Sequence, residues 1–362
     1  MPEGCNGNLW SKTRPLWRAG GFARRSGLRL AALLVALSVP LAACSSKTAS
    51  STSAATDSSA QGCSGSSAAP VGAPTLPQLR YALCSSLQAG AVPDLSHSIP
   101  SLAASADDRL KDIDGSCYST APDPAIPADA ASRCASGDLN ATRSIFLFGD
   151  SQAAMWQPAF TAIGKDRGYK VVLLAKPGCS PWVHPAGKGD AGCNDFVQRE
   201  IQFANQLHPT LVVPLGMTLG WGNSVYPTSS QLNTEITTTF RLLQASGAHL
   251  ATLSIIPELE ASTNTTPQAC LTVHASNPAS CESLLWSSQK ANALNVALIP
   301  ATKAAGATDI DSSAFFCSGN KCVLFVQAAD GVHLVYQDGQ HMTITYASWI
   351  SRALESQLAP LL

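Results

Sequence analysis

From Ser144 onward the chain alternates short apolar runs with amphipathic stretches, and no other feature restricts its fold as strongly. SIFLFG at Ser144–Gly149 is an apolar run ending in glycine, the pattern of a parallel strand buried on both faces. Trp156, Phe160 and Ile163 then recur at i, i+4 and i+7, one face of a helix. Four more strands are predicted at Tyr169–Ala175, Thr210–Gly216, His249–Ile256 and Ala307–Ser313. Val197, Ile201 and Ala204 mark one intervening helix, and Ile236, Phe240 and Leu243 a second. A third is expected near Leu284–Ala304, and a last over Thr345–Leu358. Repeated βα units predict an α/β domain over 144–362, a mainly parallel five-stranded sheet with helices on both faces. Ligands are then expected beyond the carboxyl ends of the strands.

Upstream of this core the composition changes twice. Residues 1–29 carry Lys12, Arg14, Arg18, Arg24, Arg25 and Arg29 against the single acid Glu3. LAALLVALSVPLAAC follows at Leu30–Cys44, shorter than the ~20 residues of a spanning helix. A basic region, a greasy segment and small residues at its end predict a secretory signal over 1–43. Leu41-Ala42-Ala43-Cys44 resembles the bacterial lipobox, which implies diacylation of Cys44 and anchoring to the cell membrane. Residues 44–76 are dominated by Ser, Ala, Thr, Gly and Pro, too little apolar surface to fold, and read as a flexible linker. Residues 77–143 are expected to hold short helices (Gln78–Leu87 and Leu102–Leu110) and a Pro-rich disulfide loop.

Twelve cysteines are many for a cytosolic enzyme and point to an extracytoplasmic, oxidising location. Setting aside Cys5 in the leader and Cys44 at the anchor leaves ten. Neighbours along the sequence suggest Cys63–Cys84, Cys117–Cys134, Cys179–Cys193, Cys270–Cys281 and Cys317–Cys322, although sequence alone leaves connectivity open. The rival use, a zinc site, wants CxxC pairs or interleaved histidines, and none occur. Charged residues make up 13% and the net charge is −1, so no basic excess exists to hold nucleic acid.

Gly149-Asp150-Ser151 falls where the first core strand hands over to the first helix. There a Ser hydroxyl projects from the sheet edge, and its N–H lies at a helix N-terminus, where partial positive charge favours an oxyanion. The plainer alternative is helix capping, at which Asp and Ser both excel. A serine nucleophile needs a base, and of seven histidines, once His97 in the irregular region is set aside, two follow an acid at Asp-x-x-His spacing. His333, paired with Asp330, runs at once into Leu334-Val335-Tyr336, a strand that would hold it in a sheet or hairpin. His341, paired with Asp338, precedes the last helix on a loop. Only a loop leaves the imidazole free to reach Ser151 while a carboxylate steadies its other nitrogen. Of the rest, His208 and His249 bound core elements, His97 is in the irregular region, and His184 and His274 are in loops with no acid at telling spacing.

Gly149-Asp150-Ser151 with Asp338-Gly-Gln-His341-Met-Thr near the end resembles the SGNH (GDSL-like) hydrolase superfamily. The closer likeness is to the SGNH domain appended to bacterial family 3 membrane O-acyltransferases. That branch also has a turn comparable with Gly178-Cys179-Ser180-Pro181, and cysteine pairs where Cys117/Cys134 and Cys317/Cys322 stand. The resemblance implies a flavodoxin-like three-layer α/β/α sandwich. It implies Ser151 as nucleophile, His341 as base then acid, Asp338 as its orienting partner, and the N–H groups of Ser151 and Gly178 as oxyanion donors. The sequence has neither a P-loop nor a dinucleotide fingerprint, so no metal or nucleotide cofactor is expected. Two positions depart from the pattern. Gln152 stands where the branch commonly has His or Asn, and Gly216-Met-Thr-Leu-Gly-Trp221 where the superfamily has its oxyanion Asn, leaving Thr218 or Asn223 as substitutes.

The expected activity is that of a lipid-anchored extracytoplasmic serine esterase or O-acyltransferase. Its substrate would be acyl esters, acetyl groups first, of cell-envelope glycans, with a separate membrane acyltransferase as potential partner. The alternative is a non-catalytic glycan-binding or scaffold lipoprotein that keeps the fold.

Overall fold

The computed structural model describes residues 63, 70–88, 92–111, 113–185, 191–216, 228–258, 265–278, 280–281 and 289–362. The expected signal at 1–43, lipidation at Cys44, the linker at 44–76 apart from residues 63 and 70–76, and Thr218 and Asn223 lie outside the described residues. In chain order the elements are α1 (Leu76–Leu87), β1 (Ser98–Ile99), α2 (Leu102–Ser105), α3 (Ala130–Arg133), β2 (Ala135–Gly137) and β3 (Ser144–Gly149). There follow α4 (Ser151–Arg167), β4 (Lys170–Ala175), α5 (Ala191–Leu207), β5 (Leu211–Leu215), α6 (Ser229–Leu243) and β6 (His249–Leu253). Next come α7 (Pro267–Val273), α8 (Gln289–Ala304), β7 (Thr308–Ile310), β8 (Cys317–Ser318) and β9 (Lys321–Cys322). The chain ends with β10 (Phe325–Ala328), β11 (Gly331–Leu334), α9 (Ile344–Trp349) and α10 (Ser351–Leu358).

The central sheet has the order β2-β4-β3-β5-β6-β7. All its pairings are parallel except that of β2 with β4. The five expected strands form its parallel body, in the flavodoxin-like order with β3 at the switch point. The sixth strand, β2, is an antiparallel edge that the sequence hid: Ala-Ser-Gly is half-buried and too short to show a period. Every residue of β3 is buried, and alternation sends its side chains to two separate cores. Ile145 and Leu147 meet Trp156 and Phe160 of α4 with the α9 and α10 residues on one face. Phe146 and Phe148 meet Ile201, Ile236 and Phe240 from α5 and α6 on the other. Burial on both sides is why the strand is apolar without interruption.

Two helices are shorter than expected. The segment from Leu102 stops at Ser105, because Asp108 leaves the helix to serve the start of α9. Its carboxylate accepts the Thr345 N–H (3.0 Å) and its carbonyl the Ile344 N–H (3.2 Å). The last helix is broken at Ile350 into α9 and α10. All five expected disulfides are formed, Cys63–Cys84, Cys117–Cys134, Cys179–Cys193, Cys270–Cys281 and Cys317–Cys322. Among the described residues no helix is long and apolar enough to cross a membrane.

Beneath the carboxyl end of β3, α5 buries Glu200 completely. Burial pushes its carboxyl well above the ordinary range; the Gly149 N–H offsets part of this, and the Asp150 charge adds to it. A carboxyl raised in this way keeps its proton in the native state where the unfolded chain, near 4.5, has lost it. Stability therefore falls as pH climbs from about 4.5 towards the folded value. Glu200→Gln should melt higher than wild type at about pH 8, with the gap closing towards pH 4.5; thermal melts across that range check this.

Candidate active site

β3 ends in a turn that only glycine fits. Gly149 has φ +135°, and a Cβ there would lie 2.0 Å from the Leu215 carbonyl oxygen of β5. The Asp150 N–H donates to that same carbonyl (3.2 Å). Asp150 is then the N-cap of α4, its carboxylate accepting the Gln152 N–H at 2.7 Å. The capping function expected of this tripeptide thus falls to Asp150, and Ser151 opens the helix with its hydroxyl free for other use.

That hydroxyl meets His341. Ser151 Oγ lies 2.8 Å from His341 Nε2, across 190 positions of sequence. His341 Nδ1 lies 2.9 and 3.0 Å from the two carboxylate oxygens of Asp338. With Asp338 accepting at Nδ1, the imidazole carries its proton there and turns a bare Nε2 lone pair to the serine. The carboxylate is itself held, since Asp338 Oδ1 accepts the N–H groups of Gln340 (2.7 Å) and His341 (2.8 Å). The structure therefore brings Ser151, His341 and Asp338 together in one cleft of about 430 Å³, whose walls include Arg109, Tyr118 and Pro177. A neighbouring depression of about 640 Å³ shares Arg109, Leu110 and Ile344 with this cleft but does not reach the three residues.

After β4, Lys176-Pro177-Gly178-Cys179 makes a tight turn closed by the Cys179 N–H on the Lys176 carbonyl (3.0 Å), with Gly178 at φ +75°. Proline second and glycine third is the signature of a type II turn. The turn lies beside Ser151 because the Lys176 N–H donates to the Gly149 carbonyl at 2.8 Å. Neither the Ser151 nor the Gly178 N–H has a hydrogen-bond acceptor among the described residues. Cys179 is tied to Cys193 of α5, and the Val183 N–H donates to Thr239 Oγ1 of α6 (2.9 Å).

Several features here were beyond sequence reasoning. Gln152, a departure from the expected pattern, donates from Nε2 to the Gln340 carbonyl (2.9 Å) and ties the helix start to the His341 loop. His184, which had no acid nearby in sequence, stands 3.0 Å from Glu235 of α6, both buried, and so anchors the loop after Gly178. Tyr118 enters the cleft from a loop without any motif. The other Asp-x-x-His pairs are elsewhere: His333 sits on β11, 3.0 Å from Asp330 and stacked on Trp349 at 4.1 Å, and the exposed His97 lies 2.6 Å from Asp94. Among the described residues no group of His, Cys, Asp or Glu is placed to hold a metal ion.

Burial pulls the His341 pKa down, but the hydrogen bond and charge of Asp338, with Asp150 and Glu258, more than offset it, and the net shift is upward from 6.5. For Asp338, burial raises the pKa, while the His341 bond and charge and the two N–H groups win and lower it. A base must be neutral, so kcat/KM for an ester should fall on the acid side with an inflection above 6.5. Asp338→Asn should lower kcat by about 10²–10⁴-fold and move that inflection down, as a pH–rate profile of both proteins would read.

A family model described as "SGNH domain (fused to AT3 domains)" matches residues 116–356. Among solved structures, the periplasmic domain of a lipopolysaccharide acetyltransferase of Salmonella ser. Paratyphi A is similar at 16% identity and a TM-score of 0.50, covering 68% of this chain and 90% of that one. A GDSL-like lipase of Bacteroides thetaiotaomicron aligns at 14% identity, 66% and 93% coverage and a TM-score of 0.37. A carbohydrate acetylesterase family member of Sinorhizobium meliloti aligns at 12%, 61% and 99%, and 0.37. No curated protein matches the chain in sequence.

Proposed function

The chain belongs to the family of SGNH domains, and from that premise we propose that it is a serine esterase or O-acyltransferase working through an acyl-enzyme. Its substrates are acyl esters, acetyl groups first, of cell-envelope glycans. The observation that carries the reading is the 2.8 Å approach of Ser151 Oγ to His341 Nε2, with Asp338 on the far side of the ring. A relay assembled in this way favours catalysis over the non-catalytic glycan-binding or scaffold alternative.

Ser151 Oγ attacks the ester carbonyl carbon while its proton passes to His341 Nε2. The carbonyl π pair moves onto oxygen, where the N–H groups of Ser151 and Gly178 receive it. When that pair returns, the bond to the alcohol breaks and His341 hands it the proton. Water then releases the acid, or a sugar hydroxyl takes the acyl group, by the same steps in reverse order. Five disulfides support an extracytoplasmic location. In this reading residues 1–43 direct export, Cys44 carries the lipid anchor and residues 44–76 give reach. A separately encoded membrane acyltransferase is the natural source of acyl groups for the transferase direction.

Ser151→Ala should lower aryl-acetate hydrolysis by about 10³-fold or more at unchanged melting temperature. The acetyl content of envelope glycan gives the direction. A fall with wild type alone marks an esterase, and a rise when an acyl donor is supplied marks a transferase. Acetyl content equal with wild type and Ser151→Ala under both conditions would contradict the reading.

A further inference from the structure

Tyr118 is fixed at the carboxyl edge of the sheet by its own backbone. Its residue forms a parallel bridge with Ala175, the last residue of β4. The Ala175 N–H donates to the Cys117 carbonyl (2.8 Å), and the Ser119 N–H donates to the Ala175 carbonyl (2.9 Å). The Cys117–Cys134 disulfide holds the segment from behind, and Lys176 Nζ donates to the Ala121 carbonyl (2.6 Å) in front. Because β4 neighbours β3, this puts Tyr118 on the same side of Ser151 as the Lys176–Cys179 turn.

Its side chain lines the cleft together with Ser151, His341 and Pro177, and it is half-buried. Among the described residues its hydroxyl makes no hydrogen bond, unlike those of the fully buried tyrosines. Tyr336 donates to the Pro257 carbonyl (2.8 Å), Tyr346 to the Phe315 carbonyl (2.6 Å), and Tyr169 to the Leu362 carbonyl. Half-buried in the cleft wall, this phenol offers a donor that a bound ligand can accept.

We propose that the Tyr118 hydroxyl is a further catalytic residue, donating a hydrogen bond to the substrate's carbonyl oxygen as negative charge develops there. It acts beside the N–H groups of Ser151 and Gly178. The inference rests on the serine chemistry proposed above. Tyr118 keeps its proton throughout: the serine proton goes to His341 and from there to the leaving alcohol, while the π pair goes to the carbonyl oxygen and re-forms the C=O bond as the alcohol departs. Burial and the Asp150 charge push the phenol upward against a smaller opposing effect of Arg109, so it remains a donor at neutral pH. The hydroxyl also offers a donor from the β4 side, whereas the superfamily's Asn would follow β5.

The test is Tyr118→Phe, which keeps the ring and removes only the donor. Aryl-acetate kinetics should show kcat lower by about 10²-fold with KM within about threefold. Inhibition by phenylboronic acid, whose tetrahedral adduct on Ser151 places an oxygen in the same position, should weaken by a similar factor. A kcat within about threefold of wild type, or a loss confined to KM, overturns the proposal. Wild type active, Ser151→Ala inactive and Tyr118→Phe unchanged would sink this inference alone. A wild type whose turnover does not depend on Ser151 sinks it together with the serine reading.

Discussion

One hydrogen bond, from Ser151 Oγ to His341 Nε2, gives the molecule its chemical meaning, and much of the fold serves to hold its two ends. At the serine end, a strand buried on both faces stops at Gly149, and Asp150 caps the helix that follows. At the histidine end, the loop closes on itself. The Gln337 N–H donates to the His341 carbonyl (2.9 Å), Asp338 accepts two loop N–H groups, and an isolated bridge joins Tyr336 to Met342. Gln268 Nε2 of α7 donates to the Tyr336 and Gln337 carbonyls, and Gln152 donates to that of Gln340. An imidazole so constrained loses little freedom on accepting a proton, which is the physical content of preorganisation.

The turn that carries Gly178 is held with equal care. A disulfide to α5, the Thr239 hydroxyl and the buried His184–Glu235 contact bind the following residues to the helical layer beneath. Loops of this kind are ordinarily mobile. Here each tie is to an element of the sandwich, so the donor N–H groups take their positions from the sheet edge rather than from the loop itself.

Much of this was legible in the sequence, and what was not follows from the range of the signal. The five parallel strands were visible because burial on both faces demands unbroken apolar runs, as in Ile145–Phe148. Ser151, Asp338 and His341 stood out because a strand-to-helix junction and an Asp-x-x-His loop are local patterns. Each disulfide joins neighbouring cysteines, so chain proximity already pointed to the partner. Strand β2 escaped because Ala-Ser-Gly has no hydrophobic period and pairs only because β4 lies open beside it. The Asp108 cap on α9, the Gln152 tie to Gln340, the Glu235 partner of His184 and the place of Tyr118 in the cleft are all long-range. Nothing in the residues nearby announces them.

The central claim is that Ser151 is a nucleophile activated by His341. Peptide mapping by mass spectrometry after reaction with a fluorophosphonate tests it most directly. One phosphonyl adduct per chain, located on Ser151 and lost in His341→Ala, is what the account predicts. A folded protein that takes up no reagent, or takes it up at another residue, would contradict it.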